Sequence, residues 1–216
     1  MRGGVEPISL DEMVGKIDEI SSADSDSSLR EFFENRTTLR NCCNYYTGKK
    51  LVKFTIKPSV RDASYCWYYC TQMQLWDNIC DTSLISNLQA AFSACQELTE
   101  VVGLKTDNAT NVSYFFQACF KLRNIVTPLN FDKVTQLKLA FASCNALVEV
   151  RFVAATIHWS ISFADSPLLS AESVQSIIDG LATVTTAQTI TFHKNIVLTD
   201  AQKQTINEKG WTLVQA

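Results

Sequence analysis

The sequence predicts an α/β protein of about five short helix–strand units, stacked as repeats between an N-terminal α+β cap and a C-terminal α/β cap. Three observations predict it. Cys70, Cys95, Cys119 and Cys144 stand 25, 24 and 25 residues apart, a long regular spacing that marks a repeat rather than a disulfide pattern. Within each interval the apolar period switches from i, i+3, i+4 to a short extended piece. Hydrophobic residues make up 46% of the 216-residue chain and charged residues 19%, enough apolar material for a core, which excludes a disordered chain.

Alignment on the cysteines exposes the unit. Seven residues before them lie Ala63, Leu88, Val112 and Leu137, and three before lie Trp67, Phe92, Phe116 and Phe141. Three after lie Met73, Leu98, Leu122 and Leu147, and six after lie Trp76, Val101, Ile125 and Val150. A fifth copy fits Trp159, Phe163, Ser166 and Leu169, with Ser in place of Cys. A degenerate opening copy fits Leu29, Phe33, Arg36, Leu39 and Cys42. The trios Leu88, Ala91, Phe92; Val112, Phe115, Phe116; and Leu137, Ala140, Phe141 have the spacing of one face of a short helix. Beyond each Cys comes a turn and a short strand, such as Leu98 to Val101 or Leu122 to Ile125. One unit cannot bury its own apolar face, so stacking must put Phe on Phe, Cys on Cys and Leu on Leu. The predicted core is Phe92, Cys95, Leu98, Phe116, Cys119, Leu122, Phe141, Cys144 and Leu147.

Three regions follow: a cap at 1–60, the repeats at 61–169 and a second cap at 170–216. In the second cap Ser170 precedes a helix through Val174, Ile177, Ile178 and Leu181, and Thr189–Phe192 alternates as a strand. Thr199 or Asp200 opens another helix, Gly210 stops it, and Trp211–Val214 is a final strand. In the first cap, residues 1–35 hold nine acids and three bases, with a helix predicted over Ile8–Ile20 and a polar linker over Ser21–Ser28. Residues 35–61 then hold seven bases and no acid, and Leu51–Ile56 alternates as a strand with lysines on one face.

The unit resembles the leucine-rich repeats of the BspA-like type, with their F-x-x-C-x-x-L-x-x-I/V core. The resemblance covers about residues 60–170 clearly and 29–42 loosely, and Ser166-Pro167-Leu168-Leu169 followed by Ser170-Ala171-Glu172 is similar to the segment that closes such repeats. Arg36, Ser166 and the Trp67, Met73, Trp76 set depart from it. The family implies a right-handed leucine-rich-repeat solenoid used as a binding or adhesion surface, found in bacterial surface proteins, parasite surface proteins and phage particles.

The rest of the sequence narrows function mostly by exclusion. A net charge of −3 argues against bulk attraction to nucleic acid or anionic membrane, and no apolar run is long enough to span a bilayer. Acidic residues interrupt the N-terminal apolar stretches, so the sequence reads as lacking a secretory leader, and the Met1 start suits synthesis in a cytoplasm. Neither His158 nor His193 is tied to a cysteine by spacing, and no nucleophile elbow, phosphate loop or zinc-helix motif occurs. The expectation is therefore no enzyme, no cofactor and no metal. The leading function is a non-enzymatic protein-interaction or adhesion module, as a virion component made in a host cytoplasm: a fibre, decoration or receptor-binding protein. The alternatives are a bacterial surface or secreted adhesin whose leader is absent, and an intracellular binding protein. The expected partner is a protein of the virion or host surface, or a surface glycan, and self-association is left open.

The candidate binding face lies between the core Leu and Val of each strand: Gln74 and Leu75, Thr99 and Glu100, Arg123 and Asn124, Val148 and Glu149. Stacking would line these up as one strip. Tyr65, Tyr68, Tyr69 and Trp76 either extend it or pack strand 51–56 onto the repeats. An alternative basic face consists of Lys49, Lys50, Lys53 and Lys57, which either guards a sheet edge or meets an anionic partner.

Overall fold

The structure, a computed structural model, describes residues 36–46 and 53–216. Along them run β1 (Leu75–Asp77), β2 (Glu100–Val102), β3 (Asn124–Leu129), β4 (Glu149–Phe152), β5 (Ile161–Phe163), α1 (Ala171–Gly180), β6 (Gln188–Phe192), α2 (Asp200–Glu208) and β7 (Trp211–Gln215). The strands form two parallel sheets, β1-β2-β3-β4 and β5-β6-β7. The protein is thus α/β, with parallel sheets of short strands, few helices and a repeat-like organisation. The N-terminal arm, its predicted helix and linker, Leu29, Phe33, Lys49 and Lys50 lie outside the described residues.

The first sheet follows the repeat register. Trp76 pairs with Val101, Val101 with Ile125 and Ile125 with Val150, and all four side chains are buried. Met73, Leu98, Leu122 and Leu147 lie buried three residues before them. Short strands suffice because each residue of a parallel rung is held by a neighbour on either side, and burial comes from the stack rather than from length.

The predicted short helices are not helices. Segment 88–95 is a run of overlapping turns: Ala91, Ser93 and Cys95 N–H groups bond the carbonyls three residues back. The alternate N–H groups leave the unit altogether. Leu88, Ala90, Phe92 and Ala94 donate to Asn111, Ser113, Phe115 and Gln117 of the next unit. Ala63, Tyr65, Trp67 and Tyr69 do the same one unit earlier, and Val112, Tyr114, Phe116 and Ala118 one unit later. Two residues per unit must take the left-handed conformation to aim these groups, and they are Tyr65 and Tyr69, Ala90 and Ala94, Tyr114 and Ala118, Leu139 and Ser143. A left-handed residue every fourth position is incompatible with an α-helix. Overlapping three-residue turns bury positions i, i+3 and i+4 just as a helix does, so the periodicity alone could not separate the two.

The same ladder corrects the opening copy. Leu39, Asn41, Cys43 and Tyr45 donate to Asp62, Ser64, Cys66 and Tyr68, and Asn41 and Tyr45 are the left-handed pair. Leu39 therefore occupies the place of Ala63, Cys43 that of Trp67 and Tyr46 that of Cys70, ten residues later than the expected copy, which put Leu29, Phe33 and Arg36 in those places. The basic strand is also revised. Residues 53–57 carry no strand assignment, and Phe54 N–H bonds Ile79 O at 2.8 Å. Its alternation persists as burial of Phe54 between exposed Lys53 and Thr55.

All eight cysteines are free and buried. The four repeat thiols are satisfied donors. Cys70, Cys95, Cys119 and Cys144 Sγ reach the carbonyls of Cys43, Trp67, Phe92 and Phe116 one unit back, at 3.0, 2.9, 3.0 and 3.2 Å. This explains why the position is Cys rather than a plain hydrophobe: it is small, apolar in body and carries one weak donor. In the fifth copy Ser166 Oγ finds the Cys144 carbonyl at 3.2 Å instead. Beside this column the rings stack as Trp67–Phe92, Phe92–Phe116, Phe116–Phe141 and Phe141–Phe163, at 4.9, 5.2, 5.9 and 4.9 Å between centroids.

The C-terminal segment extends the stack. Phe192 of β6 stacks on Phe163 of β5 at 6.3 Å, which makes it the next ring of the column. On the opposite side α1 covers the edge of β4, where Ser173 and Ser176 hydroxyls accept the Val150 and Phe152 N–H groups, each at 3.0 Å. An exposed parallel edge is thereby closed by side chains rather than by another strand. Gly180 permits the close approach, since a Cβ there would stand 2.8 Å from Phe152 Cβ. Ser170 caps α1 through Ser173 N–H, and Thr199 with Gln202 forms a capping box on α2. Lys209 Nζ donates to the Ile178, Asp179 and Leu181 carbonyls, closing the C-terminal end of α1, and its partial burial lowers its pKa.

Candidate functional site

The strand strip is assembled as two parallel rows. Leu75 pairs with Glu100, Glu100 with Asn124 and Asn124 with Glu149. Beside them Thr99 N–H bonds Gln74 O, Arg123 N–H bonds Thr99 O and Val148 N–H bonds Arg123 O. Gln74, Leu75 and Arg123 are exposed, and Thr99, Glu100, Asn124, Val148 and Glu149 are half-buried. The strip is mixed in character. Leu75 is 45% exposed, and Val126, 51% exposed in β3, adds a second apolar point. Val126 falls one residue beyond the core position Ile125, outside the interval between the core Leu and Val. Glu149 is not free: its carboxylate meets Arg151 at 3.4 Å and the Ser173 hydroxyl at 3.3 Å. Arg123 has no carboxylate within ion-pair distance among the described residues.

The aromatic cluster stands elsewhere. Trp76 is fully buried in the core, packed edge to face on Trp67 at 5.5 Å, so it does not extend the strip. Tyr65, Tyr68 and Tyr69 sit on the turn ladder and gather around Tyr45, with Tyr45–Tyr68 at 5.7 Å and Tyr45–Tyr69 at 5.1 Å. Trp159, expected in a core column, is 46% exposed.

Of the basic face, Lys53 and Lys57 lie among the described residues. Lys53 pairs with Asp77 and Lys105 with Asp81, each at 3.4 Å, and Lys53, Asp81 and Lys105 line a cleft of about 420 Å³. The Asn78 amide and Lys53 hold the Asp77 carboxyl below its ordinary pKa, and the Ser83 N–H and Lys105 do so for Asp81. Lys57 is exposed.

All eight thiols are buried in the fold. Burial raises Cys42 to about 12 and pushes Cys66, Cys70, Cys80, Cys119 and Cys144 well above the ordinary thiol value. His158 faces Asp132 at 3.3 Å, far from any of them in the chain, and His193 Nδ1 accepts the Asn195 N–H. Among the described residues no group of three or more His, Cys, Asp or Glu side chains could hold a metal, and no helix is long and apolar enough to cross a membrane.

One further feature was not anticipated. A cleft of about 350 Å³ opens where the turn ladder meets β5, between Leu137–Ala142 and Ser160–Asp165. The sequence carried a signal for it, because Ser166 follows Cys144 by 22 residues instead of 24 or 25. Comparison with known proteins returns no match: no family model, no curated protein and no solved structure is similar to the chain.

Proposed function

We propose that the chain is a non-enzymatic interaction or adhesion module, a right-handed solenoid of BspA-like leucine-rich repeats that serves in a phage particle as a fibre, decoration or receptor-binding component. What supports the module reading is the register of four parallel strands, which brings Leu75, Glu100, Asn124 and Glu149 side by side with Gln74, Thr99, Arg123 and Val148. A stacked strip presents the same two positions of every unit to one partner, so side chains scattered over 75 residues of sequence act as one surface. Its mixture of exposed Leu75 and Val126 with Arg123, which meets no carboxylate among the described residues, fits a protein partner better than a polyanion. Eight buried free thiols suit folding in a reducing compartment before assembly, which supports the virion over the secreted adhesin.

The test is incorporation. Particles purified from producing cells are probed for the wild-type chain and for a Leu75→Ala/Arg123→Ala variant, chosen because Glu149 is tied to Ser173 and Arg151. The variant should fold within about 0.5 kcal/mol of the wild type, as ordinary surface changes do, yet be depleted from particles. A wild-type chain absent from particles ends the virion reading. A variant incorporated normally, while charge reversal at Lys49, Lys50, Lys53 and Lys57 blocks incorporation, moves the contact to the N-terminal region.

A further inference from the structure

Two open sheets have four edges, and the fold treats one of them differently. Beside β1, Phe54 N–H takes the Ile79 carbonyl and Lys53 meets Asp77. The edge of β4 is closed by the Ser173 and Ser176 hydroxyls. The far side of β5 shares a cleft with the turn run 137–142. β7 pairs with β6, and among the described residues no hydrogen bond is made to the backbone of its other edge. The parity of that edge is fixed. Ala216 N–H donates to Phe192 O, and Ala216 O accepts from Lys194 N–H, so position 216 bonds toward β6. In a parallel pair the N–H and C=O of one residue point the same way, and the direction alternates along the strand. Thr212 and Val214 therefore bond β6, and the backbone groups of Trp211, Leu213 and Gln215 point outward. Their side chains leave the edge clear: Trp211 is buried, Leu213 is half-buried against the core, and Gln215 Nε2 donates to Ile196 O at 2.7 Å. Thr212 and Val214 are exposed. The strand holds neither a charged residue nor a proline, the usual guards of an open edge.

We propose that β7 is a dimerisation edge, on which a second copy of the chain lays its own β7 antiparallel about a two-fold axis at Leu213. The edge is complementary to itself in backbone, side chains and charge. Its outward positions, 211, 213 and 215, are symmetric about Leu213. An antiparallel mate therefore sets Leu213 against the partner's Leu213 and Trp211 against the partner's Gln215, each pair exchanging both bonds, about six in all. Between them Thr212 stands opposite the partner's Val214, a close pair of β-branched side chains of the kind that stabilises antiparallel strands. That pairing covers Val214, which is 39% exposed. With no charge on β7, two copies bring no repulsion to the seam. The hand of the pairing matters as well. A parallel second copy would leave a fresh β7 edge open and grow a chain, whereas the antiparallel pair closes after two copies. A strand from another protein could take the same backbone bonds, but this edge offers it no pocket or charge for selection, whereas the register about Leu213 selects a second β7.

The dimer uses no residue of the strand strip, so its failure leaves the module reading standing. Sedimentation velocity of the full chain, from about 5 to about 500 µM, should show a monomer–dimer equilibrium with a Kd on the order of 10–100 µM, as befits a small interface. In the ¹⁵N-labelled chain the Leu213 and Gln215 amides should exchange with solvent at least ~100-fold faster than Thr212 and Val214 at the dilute end, and slow about tenfold at the concentrated end. Charge reads the register. Thr212→Lys/Val214→Lys and Thr212→Glu/Val214→Glu change exposed positions only, and circular-dichroism melts report that each folds. Each alone puts like charges opposite one another and should weaken self-association at least ~10-fold. An equal mixture of the two puts Lys opposite Glu and should restore a dimer. A chain monomeric throughout the range overturns the second copy as the occupant. A dimer indifferent to both charged variants, or a mixture that stays monomeric, overturns the antiparallel β7 register.

Discussion

Ala118→Gly separates a helix from a turn ladder by the sign of its effect. Ala118 has φ 59° and donates its N–H to Ala142 O at 2.9 Å, while Ala94 has φ 62° one unit earlier. In a helix interior, Gly in place of Ala costs about 1 kcal/mol. In the ladder the native residue already carries about 1–2 kcal/mol of left-handed strain, which Gly removes. Against that stand about 0.4–1 kcal/mol from the freer unfolded chain and about 0.4 kcal/mol from a half-buried methyl. The net expectation lies between no change and a gain of about 1 kcal/mol. Ala118→Val should do the reverse, since a β-branched residue at positive φ costs on the order of 1–3 kcal/mol, against about 0.6 kcal/mol in a helix. Ala201→Gly, in α2, is the internal control and should cost about 0.5–1 kcal/mol. Urea midpoints at constant m-value read all three. A loss of about 1 kcal/mol in Ala118→Gly together with tolerance of Ala118→Val would refute the ladder.

Two further outcomes follow from the same packing. Phe116→Ala and Phe163→Ala should lose comparable stability, about 3–5 kcal/mol each, because Phe163 is an interior member of the column between Phe141 and Phe192 rather than its end. A much smaller loss at Phe163 in denaturant melts would place the column's end there. The buried thiols should make the fold alkali-sensitive. Cys42 is raised from 9.0 to about 12, so the thiol stays protonated in the fold while the unfolded chain ionises above pH 9. Stability is then intact below pH 9 and falls as pH climbs toward 12, by about 1.4 kcal/mol per pH unit for each such thiol. Melts at pH 7, 9 and 10 check this, and a stability flat across that range contradicts it.

The sequence by itself determined the columns. Cys95, Cys119 and Cys144, the rings before them and the Leu and Val after them recur because a stacked unit must bury the same positions each time, and that demand is written in residue type. It also determined the ends of α1 and α2, because Ser170 and Thr199 act locally on their own first turns. The strip of Leu75, Glu100, Asn124 and Glu149 was legible for the same reason: it is the complement of the buried columns. Only the tertiary structure decided where backbone donors go. Whether Leu88 to Ala94 bonds within itself or to Asn111 to Gln117 leaves the apolar spacing unchanged, so a helix and a turn ladder look alike in one dimension. The register of Leu39, Cys43 and Tyr46 became fixed by pairing with Asp62 to Tyr68, a contact between segments that no local pattern encodes. Phe192 joins the aromatic column across 29 residues that include a helix. Hydrogen bonds between units are properties of the stack and not of any unit.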